Sequence, residues 1–175
     1  MNAMTPRRAL AVGLMVAAVV VVADQLSKWA MVERVMRPEG VAGTPFFGAP
    51  IIEVTSFFNL VMTWNRGVSF GLFNNQGAWN AVALSGLSLA VVVLLLLWLR
   101  KAPVLPMCLA LGGIIGGALG NVVDRLRWGA VADFLDMHAF GWHWPAFNLA
   151  DSAITLGAIV LVLDSLFSRR NSDKN

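Results

Sequence analysis

AWNAVALSGLSLAVVVLLLLWL, residues 78–99, contains no charged side chain and is long enough to cross a lipid bilayer as a helix. A spanning helix needs about 20 consecutive, mostly apolar residues. Three other apolar stretches approach that length, and with this one they cover about residues 9–30, 78–99, 104–123 and 150–167. The sequence therefore predicts an all-α membrane protein with four transmembrane helices.

The composition agrees with a membrane protein. Of the 175 residues, 58% are hydrophobic and 13% are charged. Soluble domains contain about 45–50% apolar and about 25% charged residues, so the apolar excess indicates that a bilayer is the solvent. The net charge of +3 does not indicate a nucleic-acid partner, because the basic residues flank the apolar stretches.

These basic residues predict the orientation of the chain, since Lys and Arg are enriched at cytoplasmic helix ends. The basic clusters are Arg7 and Arg8 before the first stretch, Arg100 and Lys101 between the second and third, and Arg169, Arg170 and Lys174 after the fourth. Both termini are therefore expected in the cytoplasm. The connections at about residues 31–77 and 124–149 are expected on the other side, within a single domain of residues 1–175.

The first stretch permits a second interpretation, a cleavable signal peptide. Arg7 and Arg8 precede a short apolar run that ends in Val21-Val22-Ala23, with small residues at a suitable spacing. Its removal would leave no cytoplasmic anchor for the first connection. A retained helix gives a closed, even-numbered topology and is the simpler interpretation.

The third stretch is rich in glycine. Small residues at every fourth position let helix backbones approach closely in lipid. The glycines of this stretch are Gly112, Gly113, Gly116, Gly117 and Gly120. We expect them to pack the third helix against its neighbours.

The first connection contains two strand patterns. Ile51–Thr55 and Leu60–Trp64 combine β-branched and aromatic residues between turn-forming positions. They predict a small β-containing subdomain that lies on the outer membrane surface.

Ionisable residues at or near membrane depth are the candidates for chemistry, because a charge there is costly and is kept for a reason. Asp24 has Lys28 four residues later, which predicts an ion pair on the first helix. Asp124 closes the third stretch, and Asp151 opens the fourth, where a carboxylate also complements the helix dipole. Asp133 lies in an apolar segment of the second connection.

Two carboxylates in a partly desolvated cleft share one proton, and such a pair activates water for amide hydrolysis. The serines lack a G-x-S-x-G context, and His138 and His143 show no H-E-x-x-H pattern, so we expect both histidines to be loop residues. The lone Cys108 forms no intramolecular disulfide, and no Cys/His spacing fits zinc. No cofactor or metal is predicted.

Five blocks along the chain match a known family. They are Asp24-Gln25-Leu26-Ser27-Lys28, Asn65-Arg66-Gly67-Val68-Ser69-Phe70, the segment from Gly116 to Arg125, Val131-Ala132-Asp133-Phe134, and Phe147-Asn148-Leu149-Ala150-Asp151. With these blocks in this order, the chain resembles lipoprotein signal peptidase, also called signal peptidase II, from one end to the other. Ala132 departs from the valine common in the fourth block.

The resemblance implies roles for individual residues. It implies that Asp133 and Asp151 form a catalytic dyad. The positions that would hold the substrate backbone and the inhibitor globomycin are Asn65, Asn121, Arg125 and Asn148. The positions that would support the site are Asp24, Lys28, Gly67 and Asp124.

The resemblance also implies an activity. The substrates would be diacylglyceryl-modified prolipoproteins, cleaved immediately before the lipidated cysteine at the periplasmic face of the bacterial inner membrane. The enzyme would work among membrane lipids as a monomer and without a cofactor.

Two other functions are open. A small proton- or cation-coupled transporter or channel subunit would use Asp24, Asp124 and Asp151 as an ion path and make no demand on Asp133. A catalytically silent assembly factor would dock a partner on the glycine-rich third helix. That function predicts that Gly116→Leu is more damaging than either aspartate substitution.

Overall fold

The computed structural model describes residues 4–41, 43–44, 46–67, 78–102 and 104–172. Within these residues, four helices are long and apolar enough to cross a membrane, which confirms that prediction. They are α1 (Pro6–Ala30), α2 (Ala78–Leu99), α3 (Leu105–Trp128) and α4 (Leu149–Ser172). Large apolar side chains such as Leu94 and Leu163 are exposed on the outer faces, as expected of lipid-facing helices.

Helix α1 begins at Pro6 because the preceding Thr5 accepts a hydrogen bond from the backbone N–H of Arg8. Proline suits this first position, where no backbone donor is needed. The helix continues past Ala30 as a π-helical segment, Met31–Val35.

Helix α3 lies at the centre of the bundle and contacts each of the other three helices. Its glycines allow these contacts, as predicted. A Cβ atom on Gly116 would lie 2.7 Å from the carbonyl oxygen of Ala17 on α1. On the other side, a Cβ atom on Gly117 would collide with the carbonyl oxygen of Ala150 on α4. Any larger residue would therefore push these helices apart.

The end of α3 differs from its prediction. The helix continues to Trp128 and ends at Gly129, whose φ of 75° is a left-handed conformation that favours glycine. The sequence predicts an end at Val123, because the charged residues Asp124 and Arg125 follow it, but the structure continues the helix through both. Both lie inside the last two turns of the helix.

A small antiparallel sheet covers one end of the bundle. Its strands, in the order β1-β2-β3-β4 among the described residues, are β1 (Ile52–Thr55), β2 (Phe58–Asn65), β3 (Val131–Ala139) and β4 (Trp142–His143). The predicted strands at Ile51–Thr55 and Leu60–Trp64 are confirmed as β1 and β2. The position of this sheet on the outer membrane surface stays a prediction.

The second connection contains strands that the sequence did not predict. Strand β3 pairs with β2, with Thr63 opposite Asp133 and Asn65 opposite Val131. His138 and His143, expected in loops, lie opposite each other on β3 and β4. The pairing partner of β3 lies about 70 residues earlier in the chain, a non-local contact that local sequence patterns do not reveal.

An apolar cluster packs the sheet against the ends of the helices. Its buried members include Val32 from the end of α1, Trp128 from the end of α3, and Phe134 from β3. Because these side chains pack together, β3 is held directly beside the ends of α1 and α3. This places Asp133 next to the charged residues of both helices.

Candidate active site

Asp133 and Asp151 reach one site from different elements. Asp133 lies on β3 and is 1% exposed, and Asp151 lies in the first turn of α4. Asn148, just before α4, links the two acids. Its side-chain Nδ2 donates to Oδ1 of Asp133 over 2.7 Å, and its backbone N–H donates to Oδ2 of Asp151 over 3.3 Å.

Asp133 is surrounded by amide donors. Besides Asn148, Asn65 on β2 donates from Nδ2 to the Oδ2 atom of Asp133 over 3.0 Å. Burial raises the pKa of Asp133 to about 7, and the negative charge of Asp151 adds to this rise. The hydrogen bonds from Asn65 and Asn148 lower that pKa, but they do not offset the burial. Asp133 therefore changes its protonation state near neutral pH.

Asp151 is held by amides and by its own helix. Asn121 on α3 donates from Nδ2 to Oδ1 of Asp151 over 2.8 Å. The backbone N–H of Asp151 in turn donates to Oδ1 of Asn148 over 2.9 Å. With the bond from the Asn148 N–H, this forms a reciprocal cap at the start of α4. The helix dipole also favours a carboxylate at this end.

A buried charge cluster lies behind the two acids. Lys28 Nζ is 2.9 Å from Oδ2 of Asp24 and 2.8 Å from Oδ2 of Asp124. It also donates to Oδ1 of Asn121 over 3.1 Å. The predicted Asp24–Lys28 ion pair is present, and all three charged side chains are fully buried.

Gln25 belongs to the same cluster, although we assigned it no role from the sequence. Its Nε2 lies 2.8 Å from Oδ1 of Asp124 and 3.2 Å from both Oδ2 of Asp24 and the carbonyl oxygen of Gly120. Its position directly after Asp24 in a matching block was the available signal.

Arg125 joins the site from the last turns of α3. Its Nη2 donates to the carbonyl oxygen of Gly67 over 3.1 Å, and the Gly67 N–H donates to Oδ1 of Asn65 over 3.0 Å. The Nε atom of Arg125 is buried without a hydrogen-bond acceptor among the described residues. Such an atom offers a donor to a ligand carbonyl.

A groove opens beside Asp151. It encloses about 510 Å³. Its lining residues are Trp144, Pro145, Ala146, Phe147, Asp151, Ser152, Thr155 and Leu156. Because most of these side chains are apolar, the groove suits a hydrophobic chain that ends near the acids.

The structure therefore brings the ten predicted site residues into one connected region. Val68, Ser69 and Phe70 of the second matching block lie outside the described residues. His143 lies apart from the dyad and contacts Asp136 over 2.9 Å. Across the described part of the chain, no group of three or more His, Cys, Asp or Glu residues has the geometry to hold a metal ion.

Comparison with known proteins identifies relatives over nearly the whole chain. The family described as Signal peptidase (SPase) II matches residues 16–167. The lipoprotein signal peptidase of Paraburkholderia phytofirmans is 49% identical over 164 residues, which cover 93% of this chain and 89% of the relative. That of Burkholderia vietnamiensis is 45% identical over 159 residues, covering 90% and 89%.

Solved structures are similar as well. One, described as a bacterial membrane enzyme structure obtained by the in meso method at 2.3 Å resolution, has a TM-score of 0.78 and 28% identity, and it covers 98% of this chain and 95% of that chain. A second structure has the same description but a resolution of 1.9 Å. It has a TM-score of 0.69 and 29% identity, and it covers 88% of this chain and 92% of that chain.

Proposed function

Because the chain belongs to the signal peptidase II family, as its five sequence blocks indicated, we propose that Asp133 and Asp151 are its catalytic dyad. Membership makes the protein an aspartic-type protease that removes signal peptides from prolipoproteins. The proposed cleavage is immediately before the lipobox cysteine that carries the diacylglyceryl group. The observation that carries the proposal is the bridge from Asn148 to both carboxyl groups.

The proposed chemistry starts with one proton shared by the dyad. The ionised carboxylate takes a proton from a water molecule, and that water attacks the scissile carbonyl carbon. The protonated carboxyl donates its proton to the carbonyl oxygen, which gives a neutral tetrahedral intermediate. The first acid then returns its proton to the amide nitrogen as the C–N bond breaks. The second carboxylate takes a proton back from one hydroxyl group of the intermediate, which gives the carboxylic acid product and restores the shared proton. A pKa of Asp133 near 7 supports this sequence, because the residue still carries a proton near neutral pH.

The donors around the dyad suit a peptide substrate. Arg125 Nε, buried without a partner among the described residues, is available to a substrate carbonyl. The apolar groove of about 510 Å³ has Asp151 in its lining and suits the apolar part of a lipid-anchored precursor. The same donors are expected to bind globomycin, with Asn65, Asn121 and Asn148 at the contact.

The proposed location is the bacterial inner membrane, with the enzyme as a monomer among membrane lipids. The termini lie in the cytoplasm and the dyad at the periplasmic face. This orientation is supported by Arg100 and Lys101, which lie between α2 and α3 at the opposite end of the bundle from the dyad. Basic residues prefer the cytoplasmic side.

The contacts of the buried acids do not favour an ion path. Asp24 and Asp124 are bound by Lys28, Gln25 and backbone N–H groups, so their oxygens are already occupied. A conduction path needs sites that bind weakly enough to release the ion. The protease is therefore the function that the geometry supports best.

Cleavage of a diacylglyceryl-modified lipobox peptide by the detergent-purified protein tests the proposal. Asp133→Asn and Asp151→Asn should each abolish cleavage while the proteins stay folded. Asp136→Asn is the matched control, because Asp136 is also buried on β3 and bonded to an asparagine. Full activity in either dyad variant, or no cleavage by folded wild type, would refute the assignment.

A further inference from the structure

We propose that Lys28, Asp24 and Asp124 are positioning residues that hold the two dyad aspartates at a fixed separation and set the pH range in which the dyad works. This proposal rests on the proposed function of Asp133 and Asp151. It gives the buried charge cluster a role in the reaction beyond stabilising the helix bundle.

Each acid of the cluster holds the backbone beside one dyad residue. Oδ1 of Asp24 accepts a hydrogen bond of 3.0 Å from the N–H of Ala150, the residue directly before Asp151. Oδ2 of Asp124 accepts one of 3.2 Å from the N–H of Ala132, the residue directly before Asp133. The two contacts thus repeat one arrangement at two sites on different elements.

Lys28 joins the two acids. Its ammonium group lies 2.9 Å from Asp24 and 2.8 Å from Asp124, and its third contact, of 3.1 Å, goes to Asn121. Asn121 then donates to Asp151 over 2.8 Å. An ammonium group has three donors, so these contacts occupy Lys28 completely. It acts on the dyad through other residues and not by touching it.

The energetics do not favour a stabilising role alone. All three charged side chains have an exposed fraction of 0%. Burying ions costs desolvation free energy, and well-packed apolar residues often stabilise a core as well or better. The cluster also contains two negative charges, on Asp24 and Asp124, for the one positive charge of Lys28. The cluster therefore contributes more to the position of the dyad and to the electrostatic potential around it than to the free energy of unfolding.

The cluster also acts on the dyad through charge. The positive charge of Lys28 lowers the pKa of Asp133, against the larger effects of burial and of Asp151. Arg125 on α3 interacts electrostatically with Asp133, Asp151 and Asp124, and Asp24 on α1 interacts with Asp151. Removing the Lys28 charge makes ionisation of the dyad harder, and removing the Asp24 charge makes it easier. The two substitutions should therefore move the pH profile in opposite directions.

The test measures kcat and KM for the lipobox peptide across pH in Lys28→Met, Asp24→Asn and the double variant. The alkaline limit of activity should rise by about one pH unit in Lys28→Met and fall by a similar amount in Asp24→Asn. The double variant restores the net charge of the cluster, so its alkaline limit should lie close to that of wild type. The kcat should fall at least about tenfold in Lys28→Met, with KM within about twofold.

Lys101→Met and Glu39→Gln are the controls for lost charge, because both residues are exposed and neither belongs to the buried charge cluster. If Lys28→Met does not fold, Asp124→Asn takes its place. Its remaining carbonyl oxygen still accepts the Ala132 bond, and its profile should move in the Asp24→Asn direction. Shifts of Lys28→Met and Asp24→Asn in one common direction, a shift of Asp124→Asn to higher pH, or no shift in folded variants would overturn the proposal.

A titration without substrate separates this proposal from the proposed function. In protein with ¹³C-carboxyl aspartate, the Asp133 signal is assigned by its loss in Asp133→Asn. Its midpoint should rise in Lys28→Met whether or not the peptide is cleaved. An unchanged midpoint would refute the role of Lys28, whereas a shifted midpoint in a protein that cleaves nothing would refute only the peptidase assignment.

Discussion

Asn65 donates a hydrogen bond of 3.0 Å to Asp133, and Asn59 makes a bond of the same length to Asp136 on the same two strands. The two pairs differ in their surroundings, because only Asp133 interacts with Asp151. The fold thus contains an internal control for the candidate site.

This duplication gives a first prediction. Asn65→Ala should lower kcat by about 10- to 100-fold, because it removes a hydrogen bond that is worth about 1.5–3 kcal/mol once Asp133 gives up its proton in the reaction. Asn59→Ala should lower the melting temperature but leave kcat unchanged. Steady-state cleavage and thermal unfolding of both variants in one detergent check this. Equal losses of kcat would mean that Asn65 acts only through the sheet.

The pH dependence of cleavage gives the second prediction. In the proposed mechanism the dyad works with one shared proton, and the pKa of Asp133 is about 7. Activity should therefore fall as the pH rises through about 7 and both acids become ionised. The pH profile of kcat/KM measures this limit. A profile that stays flat well into the alkaline range would contradict a proton on Asp133.

The third prediction concerns stability. The pKa of Asp133 is about 7 in the folded protein, against about 3.9 in an unfolded chain. Between these values the folded state keeps a proton that the unfolded state has released, so wild-type stability falls as pH rises. Asp133→Asn has no titrating carboxyl group at this position, so its stability does not decrease with pH in this way.

Thermal unfolding of wild type and Asp133→Asn across the range from about pH 4 to about pH 7 tests this. The variant should gain melting temperature relative to wild type as the pH rises, and it should stay inactive throughout. Asp136→Asn, on the same strand, is the comparison. A melting temperature difference for Asp133→Asn that does not change with pH would show that burial does not raise the pKa in this way.

Helix packing gives the fourth prediction. Gly116→Ala should lower the melting temperature strongly, because its Cβ would lie 2.7 Å from the Ala17 carbonyl oxygen on α1. Gly86→Ala on α2 should be neutral or slightly stabilising, since its Cβ would contact nothing within 4 Å. If Gly116→Ala and Gly86→Ala have the same melting temperature, the close approach of α1 and α3 is not the reason for glycine at position 116.

The sequence predicted the helices well and the site only in part. Apolar stretches without charge define α2 from composition alone, and glycine spacing in α3 predicts close packing. The Asp24–Lys28 pair follows from a four-residue spacing. Asp124 could not be placed as the second partner of Lys28, because nothing local connects residues so far apart. Residue patterns alone also left open which acid pairs with Asp151, and the family resemblance selected Asp133.

Strand β3 was missed for a physical reason. Its segment is buried on both faces near Asp133, so the alternation that marks a surface strand is absent. Gln25 was overlooked because its partners, Gly120 and Asp124, lie on another helix. Contacts of this kind are set by the close approach of α1 and α3, which only the three-dimensional structure specifies.

The long separation between Lys28 and Asp124 also bears on how the protein is made. Ribosomes add about 5–20 residues per second, so α1 would wait roughly 5–20 s before the second acid is synthesised. During that time Lys28 and Asp24 can neutralise only each other inside the emerging helix. Asp151 follows later still, and its helix starts on a hydrogen bond to Asp24. In the proposed mechanism, which requires Asp151, a nascent chain is therefore unable to cut any precursor until its last helix has inserted.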